Sequence, residues 1–279
     1  MNTKHRMNHV FQADGRSLIL AMDHGANFNV LPALKNPEKI IRQCAAAGAD
    51  AFLSTVGMLD KFADSFLGKG VILRVDGGVS HLGARDKAMQ IVVTPEQAVA
   101  MGADSIITMV TPEQAVAMGA DSIITMSFPG STFENEILSN LSRTVQEAHR
   151  WGLPVTAEAL PRGFEGGEDS RTPENIIFAC RQAVELGADI VKTEYTGDVE
   201  SMHVLCESVY APVVILGGSK KVSERKLLQD IYDAIQAGAA GVAMGRNIWG
   251  HETPEKYISA ISKIIHEDAS VELALKELN

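Results

Sequence analysis

Lys192 lies in an apolar, β-branched segment that follows residues 187–189 (Gly-Ala-Asp) and ends at residues 196–198 (Thr-Gly-Asp). This pattern indicates a buried parallel strand that opens to solvent at its carboxyl end. Burial disfavours the charged form of a lysine and lowers its pKa, and a neutral amine attacks carbonyl groups. Lys192 is therefore a candidate for Schiff-base formation. The alternative is a lysine that pairs with a carboxylate across the fold.

Two further polar clusters follow apolar segments in the same way. Asp23 comes after such a segment and precedes His24 and a glycine. Its carboxylate is a candidate for proton transfer, and the alternative is a carboxylate that caps a turn or a helix. His24 is either a neighbouring polar group of the site or a structural residue. Arg74 and Asp76 form the second cluster, for which the sequence favours an ion pair between the two.

Two glycine-rich segments in the last third of the chain are candidates for anion binding. The first contains Gly217 and Gly218, and the second contains Gly245 and Arg246. Glycines let backbone N–H groups approach an anion closely, and an arginine adds charge-assisted hydrogen bonds. Each segment follows an apolar run that is typical of a buried strand. The sequence therefore predicts a phosphate-binding site at these two strand ends.

The elements that must position these residues alternate between helices and strands. Gly-Ala-Asp recurs at residues 48–50, 102–104, 119–121 and 187–189, each time after a helical pattern and before an apolar segment. The glycine can end a helix in the left-handed conformation, and the alternation implies a parallel sheet. Strands are predicted at residues 18–22, 51–55, 71–75, 105–109 or 122–126, 155–159, 190–194, 213–216 and 241–244. Helices are predicted at residues 37–47, 60–66, 95–101, 133–151, 173–186, 199–208, 223–237, 254–266 and 269–278.

Eight strands, with the fourth counted once, predict an α/β fold of the (βα)8 TIM-barrel class. We expect one domain over residues 1–279, since barrels of this kind commonly reach that length. Their active sites lie at the carboxyl ends of the strands, and the loops after strands seven and eight form the usual phosphate site. The fold class therefore brings all of these candidates to one end of the barrel.

An exact tandem repeat interrupts the regular alternation. Residues 93–109 read VTPEQAVAMGADSIITM, and residues 110–126 repeat them without a change. A closed barrel has a fixed number of strands, so both copies cannot contribute a strand. We expect the first helix copy (95–101) and the second strand copy (122–126) to occupy the barrel. Residues 103–119 would then bulge at the amino-terminal face.

Composition excludes several classes of partner. The net charge of −10 argues against nucleic acid and anionic membranes as partners. The three cysteines show no metal or disulfide spacing, which is typical of reduced thiols in a cytoplasmic protein. No apolar region follows the first residues, so we expect no signal peptide, and no apolar run is long enough to cross a bilayer.

Five segments together resemble the archaeal-type class I fructose-bisphosphate aldolase family, which includes the autoinducer-2 phosphate thiolase and the aminodideoxyheptulosonate synthases. The segments are AMDHG at 21–25, PRG at 161–163, VKTEYTGD at 191–198, VILGGSK at 214–220 and GVAMGRNIW at 241–249. The resemblance covers nearly the whole chain. It implies a lyase without a metal or other cofactor, acting on a small phosphorylated sugar, in a homo-oligomer that is often a decamer in the family. The implied roles are a Schiff base at Lys192, assistance with proton transfer at Asp23, and phosphate binding at Gly217, Gly218, Gly245 and Arg246.

The chain departs from the family at one position that matters for the reaction. In the aldolases and heptulosonate synthases of the family, a tyrosine before Pro-Arg-Gly transfers protons, and Leu160 stands there in this chain. Glu158 points to the same side of the strand and can replace the tyrosine if burial raises its pKa toward neutrality. The alternative is a partner for Arg162 or Lys192.

The same departure leaves three functions open. The first is a Schiff-base aldolase that acts on a phosphorylated ketose or a close analogue. The second is thiolase-like acyl transfer from a phosphorylated dione to coenzyme A, since the thiolase of the family also lacks the tyrosine. The third is a phosphosugar-binding protein without turnover.

Overall fold

Eight parallel strands close into a barrel in the computed structural model, which describes residues 3–27, 31–66, 68–77, 90–91, 111–217 and 223–278. The strands follow one another around the barrel in chain order, and the eighth pairs with the first. They are β1 (Ser17–Ala21), β2 (Ala51–Ser54), β3 (Gly70–Arg74), β4 (Ser122–Ser127), β5 (Val155–Ala159), β6 (Ile190–Thr193), β7 (Val213–Leu216) and β8 (Gly241–Met244). Asp76–Gly77 and Gln90–Ile91 form a small antiparallel pair beyond β3. The predicted TIM-barrel fold is confirmed.

Helices connect and cover these strands. The α-helices are Thr3–Val10, His24–Asn27, Pro37–Ala47, Val56–Phe62, Pro112–Ala117, Glu134–Arg150, Pro173–Glu185, Val199–Ser208, Glu224–Gln236, Arg246–Trp249, Pro254–Glu267 and Val271–Leu278, and the 3₁₀ helices are Pro32–Lys35, Ala63–Phe66, Gly163–Glu165 and Glu168–Ser170. The helix predicted at 60–66 is wrong in its bounds, because an α-helix begins at Val56 and a 3₁₀ turn replaces its last part. Among the described residues, no helix is long and apolar enough to span a bilayer.

Local sequence signals set several of the helix ends. Thr172 precedes Pro173, and its side chain accepts a hydrogen bond from the backbone N–H of Asn175. A proline in the first helical turn has no unsatisfied N–H, and the threonine satisfies one of the others. The turn after this helix contains Gly187 at φ 99°, a conformation that glycine adopts without strain. The helix therefore ends where β6 has to begin.

Alternate strand positions divide the core into an interior and an outer cluster. The interior cluster includes Ile19, Leu53, Ile72, Ile190 and Val214, with Val10 and Phe11 packed beneath them. The intervening positions face the helices and form the larger outer cluster. Side chains two residues apart on a strand share a face. Lys192 therefore points into the barrel, above Ile190.

The aspartates of the Gly-Ala-Asp segments close the amino-terminal face. Asp50, Asp121 and Asp189 each accept a hydrogen bond from the first or second backbone N–H of a neighbouring strand. Each also pairs with a histidine, and these are His266, His9 and His149 respectively. Each aspartate stands just before one strand and binds the strand that precedes it in the chain, so it links two neighbouring strands of the barrel. The glycine two residues earlier ends the helix between them.

The second copy of the tandem repeat supplies both a helix and a strand of the barrel. The strand prediction for 122–126 is confirmed, because β4 lies between β3 and β5. The prediction that residues up to 119 bulge is wrong, because Pro112–Ala117 is a helix whose Ala115 is buried in the outer cluster. A capping box between Thr111 and Gln114 starts this helix. The predicted first helix copy, residues 95–101, lies outside the described residues.

Candidate active site

Lys192 is held in the barrel opposite Glu158. The two residues are register partners in β6 and β5, so their side chains leave neighbouring strands at the same height. Lys192 Nζ lies 3.1 Å from Glu158 Oε1, and the two residues are only 5% and 8% exposed. The sequence left open whether Glu158 pairs with Arg162 or Lys192. It pairs with Lys192, and Arg162 is exposed.

Arg74 binds three buried carboxylates, one of which is Glu158. Its Nη2 donates to Glu158 Oε2 at 2.7 Å, its Nη1 donates to Asp76 Oδ1 at 2.9 Å, and its Nε donates to Asp23. The guanidinium is almost fully buried. The predicted ion pair with Asp76 therefore exists, but it is one part of a larger network that reaches Lys192 through Glu158.

Asp76 fixes this network to the backbone. Its Oδ2 accepts hydrogen bonds from Thr125 Oγ1 at 3.0 Å and from the backbone N–H of Met126 at 2.6 Å. A carboxylate with this many donors is held in one orientation, and Arg74 is held with it. Asp76 thereby positions the other two carboxylates, Asp23 and Glu158, through the guanidinium.

The charges of the network keep its carboxylates ionised. Burial alone raises the pKa of Glu158, but Lys192 and Arg74 together outweigh burial and lower the pKa below its usual value. For Asp23, too, burial raises the pKa, while Arg74, Lys192 and His24 bring it below its usual value. The expectation that burial raises the pKa of Glu158 toward neutrality is therefore wrong. At rest, Glu158 is a proton acceptor.

His24 lies beside Asp23 as a neutral imidazole. Burial lowers the pKa of His24 to about 4, and the charge of Lys192 lowers it further, while the carboxylate of Asp23 has a smaller, opposing effect. Its ring meets the indole of Trp249 edge-on, at a centroid distance of 5.4 Å. The indole N–H of Trp249 donates to the carbonyl oxygen of Ala21 at 2.9 Å. His24 therefore contributes a polar, uncharged wall next to the carboxylate of Asp23.

The predicted phosphate residues line the same pocket as Lys192. Gly217 follows β7, Gly245 follows β8, and Arg246 begins a short helix. A Cβ atom at Gly245 would lie 2.2 Å from the carbonyl oxygen of Ala21, so the backbone has no room for another residue. Glycine there keeps the N–H groups of this turn accessible to an anion. The fourth predicted residue, Gly218, lies outside the described residues.

One pocket of about 570 Å³ joins the two groups of residues. Lys192, Glu158, Asp23 and Arg74 line its floor, and Gly217, Gly245 and Arg246 line it on the side of β7 and β8. Six of the seven predicted site residues therefore lie in one cavity. No group of three or more metal-binding side chains was found within the described ranges.

The pocket residues that the sequence did not predict include Arg171 and Glu194. Arg171 comes from the loop after β5, and Glu194 follows β6. Glu194 could have been found from the sequence. It comes two residues after Lys192 in the predicted strand 190–194, so the two side chains are expected on the same face of that strand. Nothing local to Arg171 indicates that its side chain returns to the pocket.

Comparison with known proteins decides the family. A model of the DeoC/LacD family of aldolases matches residues 17–251. The chain belongs to this family. The 2-amino-3,7-dideoxy-D-threo-hept-6-ulosonate synthase of Halobacterium salinarum is 34% identical, over 97% of this chain and 94% of that protein. A class 1 fructose-bisphosphate aldolase of the same organism is 31% identical, over 94% and 95%.

Solved structures of aldolases share the fold. A crystal structure of an archaeal fructose 1,6-bisphosphate aldolase matches with a TM-score of 0.81 and 28% identity, over 95% of this chain and 100% of that chain. A second archaeal structure has its catalytic lysine covalently bound to the carbinolamine intermediate of the substrate, and it matches with a TM-score of 0.80. The predictions of the family, of a lyase and of Schiff-base aldolase function are confirmed.

Proposed function

We propose that this DeoC/LacD-family aldolase cleaves or forms a carbon–carbon bond in a phosphorylated ketose, with Lys192 as the residue that forms the Schiff base. The observation that carries the proposal is the pocket geometry. A buried lysine lies 3.1 Å from a carboxylate oxygen, in one cavity with the glycines and the arginine that suit a phosphate. One of the two Halobacterium relatives is named a fructose-bisphosphate aldolase, and this name supports a phosphorylated ketose as the substrate.

Glu158 is placed to move the protons of Schiff-base formation. It takes a proton from the ammonium of Lys192, and the neutral amine attacks the ketose carbonyl. The Lys192 charge holds the pKa of Glu158 down, so neutralising the lysine makes Glu158 a better proton carrier. Glu158 then returns the proton to the carbinolamine hydroxyl, which leaves as water and leaves an iminium. Asp23, held by Arg74 at the same height, assists these transfers.

Cleavage follows from the iminium. The electrons of the carbon–carbon bond move to the iminium nitrogen and form an enamine, while the neighbouring hydroxyl loses its proton and becomes an aldehyde. Glu158 is again a carboxylate at this point and accepts that proton, the task that the tyrosine of related aldolases performs. Protonation of the enamine and hydrolysis then release the second product and restore Lys192. Arg246 and the backbone at Gly217 and Gly245 hold the phosphate throughout.

Thiolase-like acyl transfer to coenzyme A is a second candidate, and one observation favours it. Leu160 is buried at the pocket and packs with Met126 and Phe128, so an apolar wall stands where related aldolases have a hydroxyl. A requirement for coenzyme A would separate this reaction from aldol cleavage.

Borohydride trapping tests the proposal. The protein is reduced in the presence of a panel of ketose phosphates, and the labelled peptide is mapped by mass spectrometry. We expect label on Lys192 and none in Lys192→Ala. The matched control is Lys226→Ala, because Lys226 lines the same pocket but pairs with Asp230. Substrate-dependent label on another lysine would contradict the assignment of Lys192. No label at all would contradict the proposal and favour a phosphosugar-binding protein.

Two further expectations, a cytoplasmic location and a homo-oligomer, accompany the proposal. A cytoplasmic location agrees with three thiols whose pKa values burial raises, which leaves them protonated and unreactive. A homo-oligomer stays a prediction from the family resemblance. Size-exclusion chromatography with light scattering measures the oligomeric state directly.

A further inference from the structure

Arg171 reaches the pocket rim with one nitrogen of its guanidinium unused. Its Nη2 donates to the carbonyl oxygen of Gly163 at 2.6 Å, and its Nε lies 3.4 Å from Glu194 Oε2. Nη1 is shielded from solvent and has no hydrogen-bond partner in the part of the chain that the structure describes. A buried donor without a partner is unfavourable until a ligand accepts its hydrogen bond.

Glu194 places an acceptor beside this donor. It lies on the same side of the chain as Lys192 and lines the same pocket, with a side chain that is one-third exposed. Burial raises the pKa of Glu194, and the nearby charge of Glu158 adds to this effect, while Arg171 opposes both. The rim therefore offers a guanidinium N–H and a carboxyl group side by side.

The order of the strands places this pair away from the phosphate residues. Arg171 follows β5, and the phosphate residues follow β7 and β8, so β6 with Lys192 lies between the two groups. A ketose whose phosphate lies at Gly217 and Gly245, and whose carbonyl carbon is bonded to Lys192, extends its other end toward β5. The Arg171–Glu194 pair therefore meets the far end of the substrate.

We propose that Arg171 and Glu194 bind a hydroxyl group at the end of the substrate farthest from its phosphate, so that the preferred substrate is a ketose monophosphate with a free terminal hydroxyl. A hydroxyl can accept a hydrogen bond from the guanidinium of Arg171 and donate one to the carboxylate of Glu194, so that one substrate group meets both side chains. A second phosphate is mostly a dianion at neutral pH and would lie against Glu194. This inference rests on the proposed function, because it assumes the phosphate site and Lys192 as the covalent residue.

Matched substrates test the inference. Ketohexose 1-phosphates are compared with their 6-deoxy analogues and with the corresponding 1,6-bisphosphates, and kcat/KM is measured for each. We expect the wild type to favour the 6-hydroxyl compound over both others by about tenfold or more, the usual weight of a hydrogen bond to a charged group. Dihydroxyacetone phosphate lacks the far end, so its trapping by borohydride reports the phosphate site and Lys192 alone.

Three variants assign the preference to the pair. Arg171→Met should bring kcat/KM of the 6-hydroxyl compound close to that of the 6-deoxy analogue, which should itself change little. Glu194→Gln keeps the size and the acceptor but removes the charge, so it should improve the bisphosphate relative to the monophosphate by about tenfold. Arg181→Met is the control, because Arg181 pairs with Glu185 on the exposed face of a helix. Trapping of dihydroxyacetone phosphate at Lys192 should still reach completion in all of them.

The outcomes distinguish the inference from the proposed function. The inference is overturned if dihydroxyacetone phosphate is trapped but the wild type cleaves the bisphosphate as well as the monophosphate. It is also overturned if Arg171→Met keeps the preference for the 6-hydroxyl compound. If the wild type traps no dihydroxyacetone phosphate, the proposed function fails, and the inference fails with it.

Discussion

Glu158 contacts two cations, Lys192 and Arg74, and this position determines what its carboxylate can do. A buried carboxylate without partners has a raised pKa and donates protons, as in acids that lie in apolar pockets. Glu158 instead has a lowered pKa, because the two cations outweigh burial. Glu158 is therefore ionised at rest, and in the proposed mechanism it becomes an acid only after it has taken a proton from Lys192.

The first prediction concerns this carboxylate. Glu158→Gln should slow turnover by about 10²-fold or more, the usual contribution of a general acid or base. Borohydride trapping at Lys192 should still reach completion, though more slowly, because water can accept the lysine proton. The control is Glu165→Gln, since Glu165 lies at the surface and accepts hydrogen bonds from Thr132. Normal turnover of Glu158→Gln would move the proton transfer to Asp23 or to a bound water.

The second prediction concerns phosphate recognition by Arg246. Arg246→Ala should weaken the binding of phosphorylated substrates by about 1.5–3 kcal/mol, the range for hydrogen bonds to charged groups. Unphosphorylated analogues should be affected little, and the comparison of KM values between the two sets measures the difference. Equal losses for both sets would show that Arg246 supports the fold instead.

At the scale of single residues, the sequence predicted that Lys192 is a buried strand residue, but it did not predict the network around it. Lys192, Asp23 and the two glycine segments are visible because each follows an apolar run. The contacts of Arg74 with Asp23 and Glu158 join residues that are 51 and 84 positions apart in the chain. They depend on the register of a closed barrel, which no local pattern contains. Arg171 was missed for the same reason.

Among the elements, the Gly-Ala-Asp segments do more than end helices. The glycine of each was predicted to allow a left-handed turn, and Gly48, Gly119 and Gly187 all have positive φ angles. The role of the aspartate was not predicted, although its recurrence at the same offset was visible. In the three segments that the structure describes, the aspartate accepts a hydrogen bond from a backbone N–H at the start of a neighbouring strand and pairs with a histidine. The amino-terminal face is therefore tied together by three equivalent contacts.

The third prediction concerns the pH dependence of one of these contacts. Hydrogen bonding to Asp50 raises the pKa of His266, and Asp14 adds to the effect while burial opposes it. A raised pKa in the folded state means that the contact stabilises fully below the unfolded value of about 6.5, and that this stabilisation is lost as the pH rises through the folded value. In His266→Gln, the free energy of unfolding should therefore fall less steeply between about pH 6 and pH 8 than in the wild type.

A neighbouring variant controls for simple weakening of the same helix end. Arg16 Nη1 donates to the carbonyl oxygen of Ile265 at 2.6 Å, and guanidinium groups are not deprotonated in proteins. Arg16→Gln should lower stability at every pH and keep the wild-type slope. Parallel curves for His266→Gln and the wild type in urea denaturation would show that His266 makes no pH-dependent contribution.

The choice between the two repeat copies could not be made from local sequence. Both copies carry the same capping residues, the same helix and the same strand. The expectation that the first helix pairs with the second strand rested on the upstream connection of the first copy. The structure keeps helix and strand from one copy together, joined by a turn at residues 118–121. Short helix-to-strand connections are the common ones, and the helix packs against Glu134–Arg150.

At the scale of the whole molecule, the closed barrel limits how much of the tandem repeat can be part of it. Strand number and stagger are fixed once the sheet closes, and β4 fills the one place between β3 and β5. Residues 111–126 supply this strand and the helix before it. The barrel thus obtains its complete fourth unit from the second copy.

The fourth prediction is that one copy can be deleted. Removing residues 110–126 gives the same chain as removing residues 93–109, because the copies are identical. The remaining copy has the sequence of the helix and strand that the barrel already contains, so we expect it to take their places. Activity should be kept. The free energy of unfolding should be equal or higher by about 1 kcal/mol at most, since closure entropy changes slowly with loop length.

Thermal unfolding and borohydride trapping of the deletion variant check this prediction together. The control is deletion of residues 112–117, which removes the described helix of the second copy and forces the first copy to replace it. That variant should lose stability, because the replacement helix and β4 would be joined by a longer connection. A full deletion variant that does not fold, or that folds but no longer traps substrate at Lys192, would show that both copies are needed by the assembled barrel.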